Sequence, residues 1–257
     1  MEYSVANPIS AEARLLTIIP ITGLPEIQPG DDLGALLRAY APDMVPGDVL
    51  VVTQKIVSKA EGRFVDLASV TPGDAAIVLA GEVNKDARLV ELVLRESAAI
   101  VRQARHVLIT RHSLGHVMAN AGIDASNIGQ GSADRVLLLP QDPDASAARI
   151  AAAFDPRPAV LIADSFGRPW RVGVTNVAIG LSGMAAVLDK RGEIDRDGRM
   201  MQVTQIALAD AIAAAAGLVM GEAAEGIPAA IVRGAGDLGV PQPASAVLRP
   251  ADEDLFQ

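Results

Sequence analysis

The feature that most constrains this chain is the run Ala159-Val160-Leu161-Ile162-Ala163, which is followed at once by Asp164. Five apolar residues in succession predict a short buried strand, and they place an acidic side chain where that strand ends. A second apolar run, Val49–Thr53, is also predicted as a strand, and the polar and basic segment 54–63 follows it. The strands alternate with helical patterns along the chain, which predicts an α/β fold with helices packed on a sheet.

The remaining elements follow from hydrophobic spacing and from capping signals. Asp31 or Asp32 can cap a helix, Pro143 suits a first helical turn, and Gly221 is placed to end an alanine-rich helix. The chain has no internal repeat and no clear linker, so residues 1–257 are expected to form one unit, and a division into two lobes stays open. The other expected strands are 15–20, 107–110, 136–139 and 229–232, and the expected helices are 33–40, 86–103, 142–154 and 203–220.

The composition excludes several classes of protein. The formal net charge of −9 argues against the basic surface of a nucleic-acid-binding protein. Cysteine is absent, which excludes disulfides and thiolate metal sites. The longest apolar stretch, 211–220, is about half of the roughly 20 residues that a membrane helix needs. No secretory signal is recognised. We therefore expect a cytoplasmic protein that binds neither nucleic acid nor membrane.

Common nucleotide-binding and catalytic motifs are missing or out of place. The chain has no G-x-x-x-x-G-K-[ST] loop and no G-x-S-x-G elbow. One G-x-G-x-x-G match, at 234–239, follows a predicted strand. Pro241 and Pro243 exclude a helix where a dinucleotide fold requires one, so we interpret the match as a turn.

Two glycine-bearing segments instead offer oxygen ligands beside hydrogen-bond donors. Asp124 lies in the expected loop 120–129, and Asp164 is followed by Ser165. Either aspartate alone is more often a turn former or a helix cap. Together they favour a site for Mg²⁺ or Mn²⁺, to which Glu222 could add a third acidic ligand.

Cationic side chains near both candidate segments could bind phosphate, which the overall negative charge would otherwise repel. Lys55, Lys59 and Arg63 follow one predicted strand, and Arg168 and Arg171 follow the other. The alternative for each is an ordinary solvated charge, and Arg168 and Arg171 could simply brace the segment that contains Asp164.

Five segments, in order, resemble one known family. They are 21–27, 51–63, 120–127, 163–171 and 221–234, and they include Thr22-Gly23-Leu24-Pro25 and Asp164-Ser165-Phe166-Gly167-Arg168. The chain resembles the coenzyme F-420:L-glutamate ligases, which attach glutamate to a deazaflavin coenzyme. Each segment is short, but five in the same order span nearly the whole chain.

The resemblance implies a mixed α/β (α+β) fold, with a mixed sheet and packed helices, in an intertwined homodimer. It also implies GTP as co-substrate with two divalent ions, Mg²⁺ or Mn²⁺, and leaves K⁺ as a further candidate cofactor. The expected metal ligands are Asp124, Asp164, Ser165 and Glu222, and Lys59 and Arg168 join the two aspartates as expected catalytic residues. The expected GTP contacts are Leu24, Pro25, Glu26, Ile27, Gln54, Lys59, Asn127, Met220, Gly221, Glu222, Ala223, Ala224, Glu225, Gly226 and Ile227.

The implied reaction joins L-glutamate to the terminal carboxylate of a coenzyme F-420 precursor through an acyl phosphate made from GTP, and then adds a γ-linked glutamate. Three positions depart from the family pattern. Gln54 stands where Ser is common, Ser165 stands where Thr is common, and Glu222 takes the place of an amide side chain. No C-terminal nitroreductase-like domain is expected. Two alternatives remain open, a metal- and nucleotide-binding regulatory protein and a metal-dependent phosphohydrolase.

Overall fold

The computed structural model describes residues 15–128 and 134–254, and Gly129, the last residue of one expected loop, lies outside them. The strands are β1 (Thr17–Ile21), β2 (Val49–Thr53), β3 (Phe64–Asp66), β4 (Ser97–Ala104), β5 (Val107–His112), β6 (Val117–Ala119), β7 (Arg135–Leu137), β8 (Ala159–Arg168), β9 (Arg171–Ser182), β10 (Leu188–Asp189), β11 (Gln205–Ile206) and β12 (Ala229–Arg233). The helices are α1 (Leu33–Tyr40), α2 (Gln54–Ala60), α3 (Asp74–Val83), α4 (Ala87–Glu96), α5 (Pro143–Ala151) and α6 (Leu208–Met220).

A mixed five-stranded sheet forms the centre of the fold, with the strand order β1-β12-β2-β8-β9. Its two middle strands, β2 and β8, are parallel, and the other neighbours are antiparallel. The expected mixed sheet with helices is confirmed. Because β2 and β8 run the same way, their carboxyl ends meet at one edge of the sheet, where Thr53 pairs with Ala163.

Both faces of this sheet are covered, which explains why its central strands are continuous apolar runs. Leu50 and Ile162 point to one face, where they pack in a core with residues of α1, α2 and α5. Val51 and Leu161 point to the opposite face, where they pack in a second core with α6. All four side chains are fully buried, as the apolar runs predicted.

A smaller antiparallel sheet, β4-β5-β6, lies apart from the central one in strand pairing. Helices α3 and α4 pack against each other and against Leu108 of β5, and they form a separate apolar cluster. The antiparallel pair β3 and β7 joins residues that lie far apart in the sequence. Asp124 forms a backbone bridge with Leu137 at the end of β7. This bridge fixes the position of the candidate acidic loop relative to β7.

Two predicted helices are too long. The expected helix 203–220 starts only at Leu208, because Gln205–Ile206 form β11 and pair with β10. The expected helix 86–103 ends at Glu96, and the following residues form β4. The apolar spacing at Val90 and Val93 is helical and both residues are buried, but Ile100 belongs to a strand that pairs with β5. Strand pairing overrides the helical pattern here, because the ladder with β5 satisfies the backbone groups of this segment.

The position of Asp164 also differs from the prediction. The strand does not end at Ala163, because β8 continues to Arg168 and forms a hairpin with β9. Asp164 pairs with Val177 and Ser165 pairs with Asn176, so neither residue is in a loop. A register shift between Ile162 and Ala163 interrupts the ladder just before Asp164. A bulge of this kind re-aims the side chains that follow it.

The first part of the segment 54–63 forms α2, which starts directly after β2 and ends at Ala60. The segment 234–239 contains no helix, and the described residues after it form only the short 3₁₀ turns Ala244–Val247 and Ala251–Glu253. None of the helices in residues 15–128 and 134–254 has both the length and the apolar content needed to cross a bilayer.

Candidate functional site

A cavity of about 490 Å³ opens where β2 and β8 end. Five parts of the chain surround it: the turn after β1, the junction of β2 with α2, the loop that contains Asn127, the β8–β9 hairpin and the loop after α6. Every residue expected to contact GTP lines this one cavity, as do Asp164 and Ser165. Lys55, a candidate phosphate-binding cation, also lines it, and the lining residues that the sequence did not single out are Thr53, Ile56, Ala163, Asn176 and Pro228.

The loop after α6 is shaped by glycine. Gly221 ends α6 with a φ of 74°, a conformation that side chains with a Cβ rarely adopt. A Cβ at this position would lie 2.2 Å from the side chain of Glu225. The loop is joined to β2 by the amide of Thr53, which donates to the Pro228 carbonyl at 2.9 Å. Gly221 therefore allows the loop to fold back over the edge of the sheet.

Asp124 lies beside this cavity and contacts it through Lys55. Lys55 Nζ lies 2.8 Å from one Asp124 carboxylate oxygen, and the Ser126 amide and hydroxyl donate to the other at 2.7 and 2.8 Å. Burial raises the pKa of Asp124, but the hydrogen bonds from Lys55 and Ser126 outweigh it, so the pKa lies below its ordinary value. Asp124 is therefore ionised at neutral pH.

Asp164 behaves in the opposite way. Burial raises its pKa to about 7, and the charges of Asp124 and Glu222 add to the increase. The Ser165 amide and Lys55 act against it but do not compensate. Two neighbouring carboxylates with pKa values on opposite sides of the ordinary range are typical of functional sites.

Glu222 is fixed by two side chains of the β8–β9 hairpin. The Ser165 hydroxyl donates to the carboxylate, with Oγ at 2.7 and 2.6 Å from its two oxygens. Asn176 Nδ2 donates to Oε1 at 2.6 Å. Sequence reasoning missed Asn176, because its only signal is its pairing with Ser165 in a hairpin that was not predicted.

Lys59 is a buried cation in the cavity wall. Its ammonium group donates to Glu26 Oε1 at 2.6 Å, and the lysine side chain is 7% exposed against 58% for the glutamate. Gln54, one turn earlier on α2, is also buried and accepts from Ser58 Oγ at 3.0 Å. Asn127 closes the opposite side, where Nδ2 donates to the Ala223 carbonyl at 3.1 Å.

Arg168 is not brought to the cavity. Both Arg168 and Arg171 are exposed at the tip of the β8–β9 hairpin, where they pair with each other in the ladder. Arg168, which was expected to be catalytic, is therefore not among the residues that line the cavity.

Comparison with known proteins decides the family. The family model described as F-420-0:gamma-glutamyl ligase matches residues 22–234. This chain belongs to the F-420-0:gamma-glutamyl ligase family.

Curated relatives agree over nearly the whole length. The coenzyme F-420:L-glutamate ligase of Methanothermobacter thermautotrophicus is 39% identical over 252 residues, which cover 94% of this chain and 99% of the relative. The ligase of the same name from Methanopyrus kandleri is 41% identical over 94% of this chain and 98% of its own. That of Natronomonas pharaonis is 46% identical over 84% and 85%. The resemblance found in five segments is confirmed.

The side chains of this family member have the donor chemistry that Mg²⁺ or Mn²⁺ prefers, namely the carboxylates of Asp124, Asp164 and Glu222 and the hydroxyl of Ser165. In the described part of the chain, no three acidic or histidine side chains already form a ligand group. The charges of Asp124 and Glu222 nevertheless help to raise the pKa of Asp164, and a divalent cation would relieve that repulsion.

Proposed function

We propose that this protein is a GTP-dependent ligase that joins L-glutamate to the terminal carboxylate of a coenzyme F-420 precursor. The observation that carries the proposal is the assembly of the expected nucleotide-binding residues around one cavity at the carboxyl ends of β2 and β8. Family membership over residues 22–234 and the names of the curated relatives also support it.

The proposed reaction has two steps that balance. An oxygen of the coenzyme carboxylate attacks the γ-phosphorus of GTP, the bond to the β-phosphate oxygen breaks, and GDP leaves. The amine of L-glutamate then attacks the acyl carbon, phosphate leaves, and the amine loses a proton as the amide forms. A second cycle on the side-chain carboxylate of the new residue would give a γ-linked glutamate.

The residues of the chain contribute position and charge. Lys59 is held in the cavity wall with its ammonium group directed at Glu26, and a buried cation of this kind can neutralise phosphate charge. Lys55 lies between the cavity and Asp124. We propose that Asp124, Asp164, Ser165 and Glu222 hold divalent ions. When bound, such ions would neutralise charge on the phosphates.

We also propose that two copies of the chain pair through the β8–β9 hairpin. Beyond Asp164 the hairpin carries exposed apolar side chains, and Trp170 and Val172 are 87% and 99% exposed. Apolar groups at such a tip are costly to leave in water, and a second copy would cover them. Light scattering on the purified chain, with Val172→Asp as the disrupting variant, tests the dimer.

The test of the activity is direct. Purified protein is incubated with glutamate-free coenzyme F-420, L-glutamate, GTP and Mn²⁺ or Mg²⁺, and the coenzyme mass is followed. A mass that rises by one glutamate per step and requires GTP supports the ligase. GTP loss that requires neither glutamate nor coenzyme would indicate a phosphohydrolase, and bound GTP with no reaction would indicate a regulatory protein.

A further inference from the structure

Asn176 is a buried polar residue in the wall of the cavity, with 8% of its surface exposed. It lies on β9 directly opposite Ser165 of β8. Residues that are directly paired across an antiparallel ladder point to the same face of the sheet. The hairpin therefore presents a hydroxyl and a carboxamide side by side toward the cavity.

Both of these donors contact the same carboxylate. Ser165 donates to Glu222, and Asn176 Nδ2 donates to Oε1 of Glu222 at 2.6 Å. Glu222 itself is an exposed residue on the loop after α6. Its carboxylate is thus held by two neighbours that belong to a different and more rigid element. An exposed glutamate on a loop would otherwise sample many rotamers.

The Asn176 side chain packs against α6 at Gly217, where a larger residue would collide with it. A Cβ placed on Gly217 would lie 2.6 Å from Asn176 Nδ2 and 2.9 Å from its Cγ. Gly217 lies inside α6, where glycine is less favourable than alanine. The need to accommodate the Asn176 amide gives a physical reason for this unfavourable glycine.

The amide also suits the charge of the site. Asp124, Asp164 and Glu222 already place three carboxylates in and beside the cavity, and burial with this repulsion raises the pKa of Asp164. A neutral donor stabilises the Glu222 carboxylate without adding a positive charge that would compete with a metal ion. Partners of this kind, which orient a ligand without touching the metal, are a regular part of metal sites.

We propose that Asn176 is a positioning residue that holds the Glu222 carboxylate beside the Ser165 hydroxyl, so that their oxygens are arranged in advance for a divalent cation. The inference rests on the proposed function, because it assumes that Glu222 and Ser165 are metal ligands. Gly217 takes part by leaving space for the Asn176 amide.

The test measures metal binding separately from ligation. Metal-free full-length protein is titrated with Mn²⁺ alone, and the free ion is counted by electron paramagnetic resonance. Asn176→Ala should weaken Mn²⁺ binding about tenfold, as loss of an orienting partner typically does. Glu222→Ala should also weaken it, and the double variant should bind like Glu222→Ala, because Asn176 acts through Glu222.

Gly217→Ala provides a second variant that leaves Asn176 and Glu222 unsubstituted but displaces the Asn176 amide. It should weaken Mn²⁺ binding, and a thermal melt of the same sample shows that the variant is folded. Thr175→Ala is the matched control, since neighbouring strand residues point to opposite faces. It should bind Mn²⁺ like the wild type.

Three results would overturn the inference: wild-type protein that binds no Mn²⁺, Asn176→Ala within twofold of wild type, or an undiminished effect of Asn176→Ala in the Glu222→Ala background. The coenzyme mass assay keeps the two proposals apart. Normal ligation with unchanged Mn²⁺ binding in Asn176→Ala refutes the role of Asn176 alone. Coupled Mn²⁺ binding without ligation by the wild type refutes the ligase and leaves the positioning role standing.

Discussion

Lys55 Nζ lies 2.8 Å from Oδ2 of Asp124, and this ion pair joins the wall of the cavity to a carboxylate beside it. A bound divalent cation would have to share Asp124 with Lys55 or displace it. Lys55 therefore binds a carboxylate oxygen that the proposed metal ion would need as a ligand.

Replacing Lys55 with Met should tighten Mn²⁺ binding, because a competing positive charge is lost. A unit charge at about 4 Å is worth about 1 kcal/mol in water, or roughly fivefold in affinity. The same variant should raise the apparent KM for GTP. Mn²⁺ titration of the metal-free protein checks the first expectation, and weaker Mn²⁺ binding would show that Lys55 orients Asp124 rather than competes for it.

A substitution of Lys59 should weaken the binding of GTP alone. Lys59→Met removes a buried cation from the cavity wall and should raise the KM for GTP about tenfold, since a hydrogen bond to a charged group is worth about 1.5–3 kcal/mol. Glu26 is left well exposed to water, so the fold should tolerate the change.

Lys190 offers the matched control for this experiment. It forms an ion pair with Glu193 at 2.9 Å, away from the cavity lining. Lys190→Met should leave the GTP titration unchanged. An equal shift in both variants would show that the effect of Lys59 is one of general charge.

Much of the architecture around this site could be predicted from local sequence. The helix Leu33–Tyr40 and the strand Val49–Thr53 have the predicted bounds, because a capping aspartate and a continuous apolar run define them locally. The early part of β8 was predicted for the same reason. In each case the residues that specify the element lie within it.

The parts that escaped prediction depend on distant partners. Ser97 through Ala104 form a strand only because β5 pairs with them. The continuation of β8 past Ala163 depends on β9, and with it the burial of Asp164 and the place of Asn176. Individual candidate residues were visible in the sequence, but their grouping around one cavity follows from the parallel pairing of β2 with β8.

The burial of Asp164 changes what its removal should do to the metal-free protein. Its pKa of about 7 in the folded state lies above its ordinary value of 3.8. The folded state therefore binds more protons than the unfolded state between these values, and stability falls as the pH rises through this window. Above about pH 7 the full cost of the buried charge is present.

Asp164→Asn should accordingly abolish ligation and raise the thermal stability of the metal-free protein. We expect a gain of about 1–3 kcal/mol above pH 7, which disappears below about pH 4. The pKa difference of about 3 units corresponds to about 4 kcal/mol at about 1.4 kcal/mol per unit, and water reaching the partly exposed Asp164 reduces it. Thermal melts from pH 4 to pH 8.5 measure the gain. A variant that ligates at the wild-type rate, or is equally destabilised at every pH, contradicts the role assigned to Asp164.

Breaking the pair Asp48–Arg233 should lower stability and leave ligation intact, whereas Asp164→Asn should raise stability. Asp48 is buried just before β2, at the end of that strand away from the cavity, and it accepts from Arg233 Nε and Nη2 at 2.9 and 2.7 Å. Burial raises the pKa of Asp48, but the hydrogen bonds from Arg233 and the Val45 amide outweigh it and lower the net pKa. The contribution of Asp48 to the stability of the fold is therefore present above the ordinary pKa of 3.8 and is lost as the pH falls through the lower pKa of the folded state.

Asp48→Asn should cost about 2–3 kcal/mol of stability at pH 7, near the lower end for a broken buried pair because Arg233 is partly exposed. The difference in melting temperature from wild type should be constant from pH 5 to pH 8 and should narrow below pH 4. Asp189→Asn, which removes the exposed partner of Arg191, should leave the melting temperature nearly unchanged, and an equal loss in both variants would mean that burial of the Asp48 pair has no special role.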